Sequence, residues 1–329
     1  MICCIVVKTI LVTGGTGLIG NALAKVLKTR GYRLILLSRG TELPPDYDAV
    51  FQWDAINKQF DYAALDGVTD VIHLAGAGIA DKRWTAERKK EIIESRVAPL
   101  QAIRAALLAR NQKLNALVSG SAVGWYGSGN DSILHTEKEP AANDFMGETC
   151  KLWEKAAKNF SDCADRVVTV RTGVVLDTTG GALPVLMRPV KLCLGAPLGN
   201  GLQEFPWIHA DDIVMVYINA LENPKYEGPI NATATENCSN KMFTKTLCSV
   251  LDRPFWPVGV PSFFMKMLFG EMAAAVLGGS RISNEKLRTL GFRFKHPELA
   301  EALTNLLKNK PRPTEAEPGL YPVKPTNRG

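Results

Sequence analysis

No two cysteines in this chain of 329 residues stand in C-x-x-C spacing, and no cysteines and histidines fall at intervals that suit a metal ligand set. A zinc ribbon is excluded, and no metal is expected. The seven cysteines (Cys3, Cys4, Cys150, Cys163, Cys193, Cys238 and Cys248) are odd in number, so a fully paired disulfide framework is excluded too. Free thiols in a reducing compartment follow, and the expected location is cytoplasmic. No apolar run approaches the roughly 20 residues needed to span a bilayer, so no membrane is expected as a partner. The apolar start, Met1-Ile-Cys-Cys-Ile-Val-Val, has no basic flank and is interrupted by Lys8, which argues against a signal peptide. There is no basic tract: 39 Lys and Arg face 33 Asp and Glu, a net +6 spread along the chain. Nucleic acid is not an expected partner, whereas anionic small molecules suit the charge. No internal repeat is present.

What the chain does have is ordinary globular composition, 46% hydrophobic and 22% charged, enough for one large α/β domain or two smaller ones. Short β-branched runs alternate with helical patterns over the first half. Thr9 to Val12, Arg33 to Ser38, Asp48 to Trp53, Asp70 to Leu74, Leu114 to Ser119 and Arg166 to Val175 read as strands. Leu18 to Thr29, Trp84 to Arg110 and Phe145 to Phe160 read as helices between them. Strands apolar on both faces and alternating with helices predict a doubly wound parallel sheet of Rossmann type. Beyond Leu176 the chain is richer in glycine and proline, as a smaller C-terminal substrate lobe would be. Gly228 to Ala232 reads as a strand, and Met242 to Leu251, Pro261 to Leu277 and Pro297 to Asn309 read as helices. The expected division is a nucleotide-binding core over 9–250, a small C-terminal domain over 251–309 and a proline-rich tail over 310–329 that is not expected to pack.

Thr13-Gly-Gly-Thr-Gly-Leu-Ile-Gly places Gly14, Gly17 and Gly20 between the first strand and the first helix. Glycines there let the backbone of Gly14, Thr16, Gly17, Leu18 and Ile19 approach a pyrophosphate at the positive end of a helix, and Gly20 lets helix and strand pack closely. The second strand ends in Ser38-Arg39 where an NAD enzyme usually places a carboxylate. A hydroxyl and a guanidinium would bind a 2′-phosphate, so NADP(H) is favoured over NAD(H); the other reading makes Arg39 surface decoration beside Gly40. Asp54 would accept a hydrogen bond from the adenine amine. His73, Leu74, Ala75 and Gly76 would set small residues and bare backbone against ribose and pyrophosphate, with His73 structural rather than a proton donor.

These motifs, in this order, resemble the extended and atypical short-chain dehydrogenase/reductases of the NAD(P)-dependent epimerase/dehydratase superfamily. Ser119-Gly-Ser-Ala-Val-Gly-Trp-Tyr-Gly and Arg171-Thr-Gly-Val-Val-Leu belong to the same pattern. Arg83-Trp84, Glu94-Ser-Arg-Val, Pro206-Trp-Ile-His-Ala-Asp-Asp and Gly228-Pro-Ile-Asn-Ala-Thr look like its sugar-nucleotide epimerase-like branch, which carries a small C-terminal domain of unknown function. The resemblance implies cofactor-side roles for Ser95, Arg96, Ser119 and Thr172. It also implies that Ser121 holds the substrate oxygen, followed by a Tyr-x-x-x-Lys pair. By the family's spacing the tyrosine falls on Met146 or Gly147 and the lysine on Cys150 or Lys151, so the pair is broken. Lys151 either keeps the ribose contact or faces solvent.

A hydride transfer still needs a proton partner. Tyr126 and His209 are the candidates, each with a structural alternative: packing of a rigid loop for Tyr126, and a helix start at Asp211 and Asp212 beside His209. Arg83 and Trp84 would either clamp an anionic ligand or anchor the helix to the sheet. The expected protein is an NADP(H)-dependent oxidoreductase or epimerase-like enzyme acting on a small carbonyl or nucleotide-sugar substrate, as a monomer or homodimer. The rival reading is an NADP(H)-binding sensor without catalysis.

Overall fold

The computed structural model describes residues 8–54, 57–129 and 133–308. Cys3, Cys4 and the proline-rich tail lie outside them. The first half is built as the alternation requires: β1 (Thr9–Thr13), α1 (Leu18–Thr29), β2 (Arg33–Ser38), β3 (Ala49–Gln52), β4 (Val68–His73), α2 (Ala86–Ala109), β5 (Leu114–Ala122), the short β6 (Leu134–His135), α3 (Phe145–Lys158) and β7 (Ala164–Thr172). Then come β8 (Val174–Leu176), α4 (Ala182–Lys191), β9 (Trp207–His209), α5 (Ala210–Glu222), β10 (Gly228–Ala232), α6 (Asn240–Val250), α7 (Ser262–Phe269), α8 (Ala273–Leu277), β11 (Arg281–Ile282), α9 (Glu285–Thr289) and α10 (Leu299–Lys308).

Seven strands form one sheet in the order β10-β7-β5-β4-β1-β2-β3, and every pairing in it is parallel. The order reverses between β1 and β4, and the crevice above their C-terminal ends is where an open α/β sheet takes its ligand. Strands β1, β2 and β4 are buried on both faces because α1 and α5 cover one side and α2 and α3 the other. Thr85 starts α2 by accepting the N–H of Arg88, so the expected start at Trp84 moves inward, with Trp84 just outside the cap.

Two expectations are corrected. The strand read as Arg166 to Val175 is broken at Gly173, whose N–H donates to Ala232 and whose Cβ, if present, would meet Pro206 O at 2.7 Å. Its second part, β8, leaves the main sheet and pairs with β9. The helix read as Pro261 to Leu277 is broken at Gly270, which takes φ +59 and ends α7 before α8 begins. Helices α4 and α5 are not among the expected helices, although the helix start expected at Asp211 and Asp212 is the first turn of α5. In the C-terminal lobe, α6 and α10 share one apolar cluster with Leu183, Trp207 and Phe243, so the two sides of the expected boundary at residue 250 pack into a common core.

Candidate functional site

The β1–α1 loop has no room for side chains. A Cβ on Gly14, which sits at φ +69, would lie 2.5 Å from the carbonyl of Leu74, and one on Gly20 would lie 2.5 Å from Gly14 O. Gly15 is equally constrained, by the Tyr47 hydroxyl. The N–H of Gly17 closes the turn onto Gly14 O at 3.0 Å. Gly17 caps α1 without any side-chain hydrogen bond, and no acid occupies the first turn. The uncapped N–H groups and the dipole therefore face the crevice as an anion site, so bare backbone at the switch point fits a dinucleotide's pyrophosphate.

Around this loop the fold collects the residues anticipated for a cofactor. Ser38 ends β2 and its hydroxyl accepts the N–H of Gly40, while Arg39, the next residue, is exposed. Asp54 turns onto its own loop, accepting from the backbone and side-chain nitrogens of Asn57 at 2.9 and 2.7 Å. His73 is fully buried at the end of β4. Its Nε2 donates to Arg96 O at 2.9 Å and its Nδ1 accepts from Thr13 Oγ1 at 2.7 Å. Burial pushes its pKa down to about 3, so it is neutral and structural. The next segment is braced from α2: Ser95 Oγ accepts the N–H of Ala77, and Arg96 donates to Ala77 O and Ile92 O. Arg96 lies over the Trp153 ring and under Gly76, and burial lowers its pKa to about 10. Ser95 and Arg96 thus shape the loop from beneath. Ser119 is buried beside His73 in register, and Thr172 ends β7 with its hydroxyl on Val170 O.

Beyond β5 the structure shows a constellation that the sequence did not announce. Ser121 Oγ donates to Glu154 Oε1 at 2.7 Å. Arg171 grips the same carboxylate with two bonds, Nε to Oε1 at 2.8 Å and a terminal nitrogen to Oε2 at 2.9 Å. Arg171 is 2% exposed, stacks on the Trp125 ring at 3.8 Å and donates to the Tyr126 hydroxyl at 2.9 Å. Tyr126 passes its own proton to Asn231 Oδ1 at 2.6 Å, and burial holds its pKa up at about 12. Tyr126 is therefore a buried strut of the network; its hydroxyl does not open onto the crevice. Arg171, near the end of β7, is the sequence signal for a buried partner, and α3 supplies the matching acid.

Helix α3 carries both registers expected for the missing pair. Met146 and Cys150 face the Ser121–Gly124 turn, where a Cβ on Gly124 would meet Met146 Cε at 2.9 Å and Cys150 Sγ at 3.7 Å. Gly147 instead packs on Ala142. Burial raises the Cys150 thiol to about 12, so it carries no charge for a ribose. The structure turns Lys151 to solvent and pairs it with Glu148 at 3.4 Å. Trp84 donates to Ile79 O and packs edge-on against Phe145, so it ties the start of α2 to α3, where the anchoring alternative had the sheet, while Arg83 reaches Met267 O in the C-terminal lobe. His209 is fully buried at the start of α5, where its Nδ1 accepts the N–H of Asp211 at 3.0 Å. It does not join the Ser121 group. A cavity of about 530 Å³ opens between Ser128 and the α7–α8 segment, lined by Lys266, Glu271, Ala274 and Leu277. Neither the glycine loop nor Ser121 lines it.

Residues 10–159 match the NAD dependent epimerase/dehydratase family, and residues 260–306 match a domain of unknown function. The chain is 33% identical over 305 residues to the epimerase family protein YfhF of Bacillus subtilis, covering 92% of this chain and 98% of that one. It is 36% identical over 309 residues to the chloroplastic SDR39U1 homolog of Arabidopsis thaliana, covering 91% and 87%. The crystal structure of human epimerase family protein SDR39U1, solved with NADPH, superposes with a TM-score of 0.82 at 31% identity, covering 92% of this chain and all of that one. A parallel Rossmann-like sheet with a bare glycine loop at its switch point defines a nucleotide-binding short-chain dehydrogenase/reductase fold. This chain belongs to the NAD-dependent epimerase/dehydratase family. Among the described residues no helix is long and apolar enough to cross a membrane.

Proposed function

We propose that this protein is an NADP(H)-dependent oxidoreductase acting on a small alcohol, carbonyl or sugar-nucleotide substrate, in which Ser121 and Glu154 together handle the proton usually assigned to a tyrosine. The observation that carries the reading is the 2.7 Å hydrogen bond from Ser121 Oγ to Glu154 Oε1 at the end of β5. NADP, when bound, supplies or accepts the hydride. Because Ser121 gives its only proton to Glu154, its lone pairs are left to accept a hydrogen bond from a substrate hydroxyl. As that hydroxyl becomes a carbonyl, its proton moves to Ser121 Oγ and the serine proton moves to the Glu154 carboxylate. Arg171, doubly bonded to Glu154, keeps the carboxylate oriented and limits its movement. The exposed Arg39 beside Ser38, with no acid at the end of β2, supports NADP(H) over NAD(H). The NADPH held by human SDR39U1 supports the same preference.

The experiment is an NADPH fluorescence titration followed by turnover on a panel of aldehydes, ketones and nucleotide sugars, for the wild type and Glu154→Gln. General acid–base assistance contributes about 10²–10⁴ in rate, so the variant should lose that much turnover while still binding NADPH. Unchanged turnover in Glu154→Gln would refute the serine–glutamate relay. A second reading, a non-catalytic NADP(H) sensor, is supported by the absence of a tyrosine at both 146 and 147, the two positions to which the family's spacing leads. Tight NADPH binding with no turnover on any panel member would establish that reading instead.

A further inference from the structure

We propose that His209, Asp211 and His296 form a binding site for a transition-metal dication of the zinc or cobalt kind, which clasps the nucleotide-binding fold to the C-terminal lobe. His209 closes β9, Asp211 lies in the first turn of α5, and His296 arrives from the segment just before α10. That segment is pinned by Asp212, whose two carboxylate oxygens accept the backbone N–H groups of Lys295 at 2.7 Å and His296 at 3.0 Å. The two imidazoles are stacked, with ring centroids 3.9 Å apart and planes 36° apart.

The observation that calls for a ligand is His296. It is 3% exposed, yet neither of its ring nitrogens makes a hydrogen bond among the described residues. A neutral imidazole has one donor and one acceptor, and a buried polar group left unsatisfied is rare in folded proteins. Its Nε2 instead points at Asp211 Oδ2 from 3.7 Å, beyond hydrogen-bond reach, and the same oxygen lies 3.9 Å from His209 Nδ1. One donor atom from each of the three residues lies within 4.8 Å of the other two. Metal bonds of about 2.0–2.1 Å in a tetrahedral site put ligands roughly 3.4 Å apart, so two edges are within about 0.5 Å of that spacing already.

The donor set defines the ion. Two imidazoles and one carboxylate suit zinc or cobalt, whereas calcium and magnesium prefer oxygen ligands throughout. Glu301 stands 3.9 Å from His296 Nδ1, on the side away from Asp211, where a carboxylate would orient a coordinating histidine. Among the described contacts, the ring stacking and two polar groups must yield to the ion, the imidazoles tilting apart so that both ring planes contain it. The Lys295 ammonium, 3.8 Å from Asp211 Oδ2 and half exposed, moves into solvent. The hydrogen bond from the Asp211 N–H to His209 Nδ1 is exchanged for coordination.

The test uses the full chain stripped with EDTA, with Cys3, Cys4 and Cys193 replaced by serine so that thiols cannot take the metal. Cobalt(II) is titrated while its visible d–d absorption is recorded, and thermal unfolding is followed with and without zinc. One equivalent of cobalt should give a tetrahedral-type spectrum without sulfur charge-transfer bands, and zinc should raise Tm. His296→Phe, which keeps a buried aromatic ring, and Asp211→Asn should each weaken cobalt binding at least tenfold and remove the zinc-dependent rise in Tm. The absence of a cobalt spectrum, the same response in His296→Phe as in the parent, or an equal rise in Tm with magnesium would each overturn the site. Should His296→Phe fail to fold, Asp211→Asn on an otherwise intact core decides the matter alone.

Discussion

The Tyr47 hydroxyl stands 2.0 Å from the point where a Cβ on Gly15 would be, so the β2–β3 loop seals the floor of the nucleotide loop. That hydroxyl is buried and has no hydrogen-bond partner among the described residues. Two outcomes follow with opposite signs. Gly15→Ala forces loop and tyrosine apart, and overpacking of this kind destabilises by about 1–3 kcal/mol; NADPH affinity should fall with it. Tyr47→Phe removes an unsatisfied polar atom and should be neutral or stabilising, with NADPH binding intact. Urea unfolding and a fluorescence titration on both variants check the pair.

Arg39 carries the cofactor preference. Arg39→Ala should weaken NADPH binding by about 1.5–3 kcal/mol, the worth of a charged hydrogen bond, and leave NADH nearly unchanged. Equal weakening of both nucleotides, measured by the same titration, would remove the 2′-phosphate assignment.

Tyr126 and Glu154 separate structure from chemistry. Tyr126→Phe strips a partner from both Arg171 and Asn231 and should lower stability by about 1–3 kcal/mol. Its turnover per folded molecule should stay close to wild type. A large loss of kcat in a folded Tyr126→Phe protein would return the proton to this tyrosine.

His73 supplies a pH signature. Its folded pKa near 3 lies below the ordinary 6.5, so the unfolded chain takes up the proton first as pH falls. The contribution of neutral His73 is therefore complete above about pH 6.5 and shrinks by about 1.4 kcal/mol per pH unit below it. His73→Gln does not titrate. The stability gap between wild type and His73→Gln, from urea unfolding, should narrow by about 2 kcal/mol between pH 7 and pH 5. A gap that stays constant would mean the ring is charged or solvated in the folded protein.

The sheet and its glycine loop were legible because apolar strands, glycine spacing and an amphipathic α1 all encode the same unit locally. Helix α5 was not, because it is apolar on nearly every side: Ile213, Val214, Val216, Tyr217 and Ile218 are all buried, which erases the stripe that marks a surface helix. The long run from Pro261 hid the break at Gly270 for a related reason, since a glycine inside a helical pattern reads as tolerated until its positive φ is seen. Glu154 looked like any acid on the wet face of a helix. Only the fold brings it to Arg171, 17 residues further on, and to Ser121, 33 residues back.

Asn231 has a consequence for how the chain reaches its native state. Its side chain accepts from Tyr126, 105 residues earlier, and donates to Ser283, 52 residues later, while its N–H donates to Glu137. Its strand, β10, is also the last of the sheet's seven strands along the chain, laid in register against β7. A ribosome-bound chain that has not yet exposed residues 228–232 must hold Arg171 and Glu154 together without this keystone. Contacts of such sequence separation make folding slow, and they set completion of the barrier crossing after most of the polypeptide has been synthesised.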